Sequence, residues 1–198
     1  SQINDALATL SYTPTTNYNG SDTLNVISTD SAGTPLSDTD TVSINVAAVN
    51  DAPVITGAGS TIVFPEGGGE TIIESSLSIT DVDDDTIQWA SITISSYYDD
   101  LDTLTFSNTS SITGNWDPEN AILLLSGPDS LANYELALES VAFQNSDFHT
   151  FNSEREISWV INDGNNSSSA VYSTIIIKDY NTPPDFRVSG TIDFEEDG

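Results

Sequence analysis

The amino-acid sequence predicts an all-β fold, an antiparallel β-sandwich, and three observations support this prediction. Short segments rich in Thr, Ser, Val, Ile, Asn, Asp and Gly follow one another, which is typical of strands joined by turns. Residues 41–46, for example, alternate apolar and polar side chains. Strands and helices do not alternate as they would in a parallel α/β sheet. The third observation is that the apolar pattern repeats along the chain.

Two stretches, 3–10 and 131–141, differ from the rest because they are rich in helix-forming Ala and Leu. They match each other, and the register continues through later strands at a spacing of about 130 residues. Matched pairs include Leu7 with Leu138, Val46 with Ile177, Asn50 with Asn181 and Pro53 with Pro184. The second stretch is predicted to cross between strands as a helix. The side chains expected to turn inward are Leu136, Ala137, Val141 and Phe143.

This period predicts three parts of a tandem array. Residues 1–49 are the C-terminal part of one repeat, 50–180 are a complete repeat, and 181–198 are the linker and first strand of a further repeat. Because the first part lacks the opening strands of its sandwich, we expect an exposed sheet edge there. The two ends are then either disordered or paired with other chains through their incomplete strands.

The charge of the chain restricts its partners. It carries 31 acidic and 3 basic residues, a formal net charge of −28. Nucleic acid and anionic membrane surfaces are excluded as partners, because both require a basic face. The longest apolar runs, such as 121–125, are too short for direct membrane insertion.

The excess of negative charge repels itself, which favours the capture of cations, and Ca²⁺ prefers carboxylate and carbonyl oxygens. Cysteine is absent, which excludes disulfides and thiolate zinc sites.

The segment 47–53 is predicted to link two domains. It leaves the strand 41–46 through Asn50 and Asp51 and reaches Pro53. A hairpin would need a reversing turn such as Asn-Gly, whereas the proline keeps the preceding residue extended. The chain therefore continues forward and carries oxygen ligands where two domains meet.

Several motifs together resemble a known family. The stretch 18–53, "YNGSDTLNVISTDSAG" followed by "DTDTVSINVAAVNDAP", is similar to the closing half of a cadherin-like repeat of large bacterial surface proteins, including RTX-type adhesins. The motifs "TDSAG" at 29–33 and "NDGN" at 162–165 lie where that family has an Asp-Gly turn. "VNDAP" resembles the calcium linker of cadherins, and "TDVDDD" at 80–85 resembles their Asp-x-Asp loop.

The resemblance implies Ig-like or cadherin-like β-sandwich repeats in tandem, on the bacterial cell surface and outside the cell. Ca²⁺ is the implied cofactor, and the neighbouring repeats of the same polypeptide are the implied partners. The implied function is cell adhesion, with this segment as a calcium-rigidified structural spacer of an adhesin stalk and not an enzyme.

The resemblance also assigns metal ligands by position. At the first junction they are Asn50, Asp51, Asp81, Asp83 and Asp163. At the second junction they are Glu66, Asp179 and Asn181, and Asp147 falls in a loop that supplies further acids.

Two departures from the family pattern matter. Residues 18–22 stand where the family has a Leu-Asp-Arg-Glu loop. Thr182 stands in the second linker where the first has Asp51, so the second site is expected to be weaker.

Some of these residues allow other interpretations. An EF-hand is excluded at 81–92, because Thr86 and Ile92 replace the required Gly and Glu; a solvated acidic loop is the simpler alternative. The lone histidine, His149, has no recognisable catalytic partners. The alternative function is a ligand-binding module that recognises a carbohydrate or a protein through the inserted region of the complete repeat. That region contains Tyr97, Tyr98 and Trp116, for which packing in the core is the default expectation.

Overall fold

The computed structural model describes residues 5, 7–31, 33–65, 67–95, 101–146 and 153–178. Thirteen strands and one helix are numbered here in chain order. The strands are β1 Gly20–Thr29, β2 Ser37–Val46, β3 Val54–Thr56, β4 Thr61–Pro65, β5 Thr71–Ile72, β6 Ser78–Thr80, β7 Thr86–Ile94, β8 Asp102–Thr105, β9 Thr113–Asp117, β10 Ile122–Ser130, β11 Ala142–Asn145, β12 Ser153–Asn162 and β13 Val171–Lys178. The helix, α1, spans Leu131–Glu139 between β10 and β11.

The described residues between 54 and 178 form a β-sandwich, which confirms the predicted fold class. One layer is a six-stranded sheet in the order β4-β13-β12-β7-β10-β9. The opposite layer consists of a three-stranded sheet, β5-β11-β8, the pair β3-β6, and α1. Among the described strands, pairing is antiparallel except between β4 and β13, which run parallel. This parallel pair departs from the purely antiparallel expectation.

Alternating side chains build one core between the layers. On β7 the inward residues Ile87, Ala90, Ile92 and Ile94 are buried. The ring of Phe64 on β4 meets the ring of Phe143 on β11 edge-on, with centroids 5.1 Å apart, and so joins the two layers. Burial of this aliphatic and aromatic surface is the main favourable contribution to folding.

The helix α1 packs into the core by a face of 3.6-residue period. The Ser130 hydroxyl caps it by accepting a hydrogen bond from the Asn133 amide, and Tyr134, Ala137 and Leu138 are buried. The inward placement of Leu136 was wrong, since this side chain is 65% exposed. Leu136 lies one residue before Ala137, outside the helix face that Tyr134, Ala137 and Leu138 bury. In the part of the chain that the structure describes, no helix has the length and hydropathy needed to cross a membrane.

The core also encloses a carboxylate that the acidic composition did not single out. Glu74 is 2% exposed. It accepts hydrogen bonds from the backbone amides of Gly59 and Ser60 and from the hydroxyls of Ser60 and Ser173. The Ser173 hydroxyl in turn accepts a hydrogen bond from the buried Trp159 indole. Burial opposes ionisation, but the donated hydrogen bonds outweigh it, and the pKa of Glu74 is lowered.

A buried ion pair joins two further strands of opposite layers. The Arg155 guanidinium on β12 donates to the Asp102 carboxylate on β8, and both side chains are almost fully buried. Asn145 on β11 donates to the other oxygen of Asp102. Because each charge satisfies the other away from water, removal of one partner would leave a costly uncompensated charge.

The hairpin β1–β2 lies outside this core. Its strands pair from Gly20 with Val46 to Thr29 with Ser37. Among the described residues from 5 to 49 no side chain is buried, and neither strand pairs with another described strand. The described hairpin thus exposes both of its edges, while the repeat boundaries at 49 and 180 stay predictions.

Replacement of Glu74 by Gln should destabilise the sandwich by about 2–3 kcal/mol near neutral pH, because an amide cannot accept from all four donors. The folded-state pKa of Glu74 lies below its unfolded value, so its stabilisation is complete above that unfolded value. It is lost as the pH falls through the folded-state pKa. Urea unfolding should therefore show that the difference in free energy of unfolding between wild type and Glu74→Gln becomes smaller in acid. Glu70→Gln, at an exposed site, is the control. If the difference in free energy of unfolding does not change with pH, the ionised form of Glu74 is not what stabilises the sandwich.

The amides of β1 and β2 should exchange with solvent much faster than those of β7 and β12. The hairpin has no buried side chain among its described residues, so local opening there costs little free energy. Hydrogen exchange on the monomeric chain measures this directly. Protection of the hairpin equal to that of β7, with no partner chain present, would contradict the expectation.

Candidate functional site

Strand register brings two acidic loops to the same end of the sandwich. The antiparallel pairing of β7 with β12 places Trp89 opposite Asn162. The loop 81–85, which precedes β7, and the loop 163–166, which follows β12, therefore lie side by side. Such loops at the end of a rigid sheet are positioned by the strands that flank them.

The linker 47–53 reaches the same end. It leads into β3, whose first residue, Val54, pairs with Thr80, the last residue of β6. Asp81 follows immediately. We call the linker 47–53 and the loops 81–85 and 163–166 together the junction pole.

The loop 163–166 is a tight turn organised by Asp163, which is 5% exposed. Its Oδ1 accepts from the backbone amides of Asn165 at 2.6 Å and Asn166 at 2.7 Å. Its Oδ2 accepts from the Asn50 side-chain amide at 2.8 Å. Burial alone would raise the pKa of Asp163, but the hydrogen bonds from Asn50 and the two backbone amides lower it.

Asn50 attaches the linker to this turn through further contacts. Its Oδ1 accepts from the Asn165 side chain at 3.0 Å, and its backbone oxygen accepts from the Asn166 side chain at 3.2 Å. Its Nδ2 also donates to the carbonyl oxygen of Asp51 at 2.6 Å. The sequence prediction did not include Asn165 and Asn166, although the amide-rich run that follows Asp163 is visible in the sequence.

The loop 81–85 contacts the linker from the other side. The Asp51 backbone amide donates to Asp83 Oδ1 at 3.2 Å. Within the loop, Asp81 Oδ1 accepts from the backbone amides of Asp83 at 3.2 Å and Asp84 at 3.3 Å. This is the arrangement by which an aspartate side chain organises its own turn.

The electrostatics of this loop are unfavourable as it stands. The pKa of Asp83 is raised by partial loss of water and by the neighbouring carboxyl groups of Asp81 and Asp84, and the hydrogen bond from Asp51 opposes this only in part. Asp81 Oδ2 is buried and accepts no hydrogen bond from the described residues. A buried carboxylate oxygen without a donor is costly, so this atom is open to a further partner.

The donor set at the junction pole fits Ca²⁺ in its chemistry. Carboxylate, amide and backbone oxygens are the ligands that this ion prefers, and the unpaired Asp81 Oδ2 is such an oxygen. Over the described ranges, however, no three Asp, Glu, His or Cys side chains lie close enough together to hold a metal ion. The five residues predicted for the first junction, Asn50, Asp51, Asp81, Asp83 and Asp163, are neighbours, but their carboxylates do not converge on one point.

A crevice of about 580 Å³ separates the upstream residues from the junction pole. Residues 13–19 line one side, and Val49, Asp51, Val82 and Asp83 line the other. The upstream wall contributes Thr, Pro, Asn and Tyr residues and no carboxylate. The acidic groups of this crevice therefore come from the linker and the downstream sandwich.

The remaining predicted site residues lie outside the described residues. These are Glu66, Asp147, Asp179 and Asn181, together with Tyr97, Tyr98 and His149. Of the aromatic residues in the inserted region, Trp116 is described. It is half-buried and packs against the core, in agreement with the default expectation for it.

Neither a protein-family model nor a curated protein sequence matches this chain. Segments of cadherin ectodomains are among its structural neighbours. A protocadherin gamma B7 structure of extracellular cadherin domains 1–4 is 16% identical, with a TM-score of 0.37, over 82% of this chain and 33% of that one. The protocadherin gammaB7 EC3-6 cis-dimer structure is 14% identical, with a TM-score of 0.33, over 80% and 33%. The human desmocollin-1 ectodomain is 13% identical, with a TM-score of 0.29, over 82% and 28%. This chain thus spans about a third or less of these neighbours, and at such low TM-scores the similarity carries no argument about function.

Replacement of Asn50 by Ala should raise the pKa of Asp163 toward its ordinary value, because one of its three hydrogen-bond donors is lost. The pKa of Asp83 should stay unchanged, since Asn50 does not contact it. Carboxyl carbon NMR titration follows both groups. Asn165→Ala is the matched control, because it keeps the bond between Asn50 and Asp163. An unaltered Asp163 in Asn50→Ala would show that the linker does not hold this turn.

Proposed function

We propose that this chain is part of an extracellular adhesion protein, in which it serves as a spacer that Ca²⁺ stiffens at the junction between repeats. One observation carries the proposal. The linker is held from two sides, by Asp163 through the Asn50 side chain and by Asp83 through the Asp51 amide. The linker contacts both loops. The charge state of these loops therefore affects the direction from which the chain enters the sandwich.

Asn50, Asp51, Asp81, Asp83 and Asp163 would hold the ion, with backbone oxygens completing the set. Bound Ca²⁺ would supply the positive charge that the pole lacks. Asp81 Oδ2, which has no donor among the described residues, is positioned to bind it. Asn50 now donates to Asp163, and rotation of its amide would present Oδ1 in place of Nδ2.

Charge repulsion explains why the junction needs an ion to be stiff. Two carboxylates about 4 Å apart repel by about 1 kcal/mol at the dielectric of water, and by more where water is excluded. The pKa of Asp83 is raised first by partial loss of water and then by the neighbouring carboxyl groups of Asp81 and Asp84, so repulsion is one of its causes. Because the upstream wall of the crevice carries no carboxylate, stiffening acts on the linker itself and not by joining acids of two sandwiches.

The proposal places this spacer in an adhesin stalk on a bacterial cell surface, in keeping with the family resemblance of its motifs. A second, weaker junction at Glu66, Asp179 and Asn181 belongs to the same proposal, as does Asp147. The alternative, recognition of a carbohydrate or protein by the inserted region, has lost one of its three aromatic residues, because Trp116 packs against the core. Catalysis forms no part of the proposal.

Millimolar Ca²⁺ should lengthen and stiffen the protein, whereas a chelator should shorten its average dimension and lower its melting temperature. Binding stabilises the form that holds the ion by mass action, and the affinity should lie in the range of about 10⁻⁴–10⁻³ M that is typical of extracellular modules. Small-angle scattering and thermal unfolding, each with calcium and with chelator, measure both effects.

The double variant Asp81→Ala with Asp83→Ala should lose this response and keep its folded core. Asp38→Ala with Asp40→Ala removes the same charge from exposed positions of the hairpin and should respond as wild type does. If the maximum dimension and the melting temperature of wild type are indifferent to chelation, the calcium-spacer proposal is wrong.

A further inference from the structure

The outer face of the six-stranded sheet carries a groove of about 870 Å³, away from the junction pole's linker and the core. Its floor follows the strand register. Ser91 on β7 lies opposite Val160 on β12 and opposite Leu124 on β10, and Leu124 lies opposite Asn115 on β9. Because these residues share one row across four strands, their side chains project from the same face. Trp89 and Gln88 also line the groove.

A strand irregularity borders this groove. Trp89 pairs with Ser126, but Ile87 pairs with Asp129, so two residues of β10, Gly127 and Pro128, stand against the single residue Gln88 of β7. At this bulge the buried positions of β7 change phase, and neighbouring Gln88 and Trp89 are both only half-buried. Bulges re-aim side chains in this way and occur often beside functional sites.

The bulge is held rigidly. Gly127 has a φ of +125°, and a Cβ atom there would lie 2.0 Å from the Ser111 carbonyl oxygen. The hydroxyl of Tyr134, which is fully buried, donates to the Gly127 carbonyl oxygen at 2.8 Å. The wall beside Trp89 is therefore fixed before any ligand arrives, which lowers the entropic cost of binding.

Apart from Asp117, the polar side chains of the groove are neutral. Within the described part of the chain, the side chains of Gln88, Trp89, Ser91 and Asn115 make no hydrogen bond. Asp117 is the acidic residue of the lining, and both of its oxygens already accept hydrogen bonds, from the backbone amides of Glu119 and Asn120 and from the Asn120 side chain. No basic residue lines the groove.

We propose that this groove binds a neutral glycan, a short oligosaccharide whose ring stacks on the Trp89 indole and whose hydroxyls bond to Gln88, Ser91 and Asn115. A sugar ring offers an apolar face of C–H groups and a rim of hydroxyls, and this groove pairs apolar surface with unsatisfied amides and hydroxyls. A wholly apolar ligand would bury those polar groups without partners, which is costly. Anionic sugars are disfavoured, because the chain carries a net charge of −28 and the groove supplies no cation. The volume lies within the range of pockets that hold small organic ligands.

The test is to bind the full chain to an array of immobilised oligosaccharides, neutral and sialylated, and then to titrate the best neutral ligand by calorimetry. We expect binding of a neutral glycan, at least tenfold weaker for Trp89→Ala and weaker for Asn115→Ala. Tyr172→Ala is the matched control, since Tyr172 is an exposed aromatic residue on β13 of the same sheet, and it should bind as wild type does. Thermal unfolding checks that each variant is folded. If Trp89→Ala does not fold, the loss of binding in Asn115→Ala tests the proposal instead.

Four results would overturn the proposal: no neutral glycan bound by wild type, equal binding by wild type and Trp89→Ala, binding restricted to sialylated glycans, or a dimer of wild type that Trp89→Ala abolishes. The last result would assign the groove to a second copy of the chain. Glycan binding should persist in the presence of a chelator. The two proposals are therefore independent: either one can be wrong while the other is correct.

Discussion

The antiparallel pairing of β7 with β12 is the constraint on which the other features depend. It sets the loops 81–85 and 163–166 side by side at one end of the sheet. It also places Val160 beside Ser91 on the outer face, and it directs Ile92 and Trp159 into the core. A slip of one residue in this register would exchange the two faces of β7 and would separate the loops. The core thus determines the geometry of both candidate sites, because burial of the inward side chains permits only one register.

Much of this molecule could be predicted from the sequence, and the failures have specific physical causes. The alternating strands predicted the sandwich, and the resemblance of short motifs to cadherin-like repeats singled out Asn50, Asp83 and Asp163, which lie at the junction pole. That these residues bind a metal stays a prediction. The misplacement of Leu136 came from the phase of a single short helix, where one residue of error exchanges core and solvent. The role of Glu74 was invisible, because its donors come from segments distant in sequence.

The groove could not be predicted, because one of its walls is a tertiary irregularity. A two-residue period counted from Ala90, Ile92 and Ile94 places Trp89 outward, whereas the same period counted from Ile87 places it inward, and the two phases meet at the bulge formed by Gly127 and Pro128. The glycine and proline in β10 were visible in the sequence as breakers of regular strand structure. What they oppose on the neighbouring strand depends on pairing, which a single sequence does not show. The hydrophobic period alone therefore does not decide which face Trp89 occupies.

The parallel pairing of β4 with β13 has a mechanical consequence. β4 lies near the point where the chain enters the sandwich, β13 is the last described strand, and their ladder runs from Thr61 with Thr174 to Pro65 with Lys178. Tension applied through the two ends of the sandwich pulls parallel neighbours past each other along their length. The rungs of the ladder then share the load and must yield together, whereas an antiparallel hairpin pulled from its open end yields one rung at a time. A sandwich closed in this way resists stretching by its topology, whatever ion or ligand it holds.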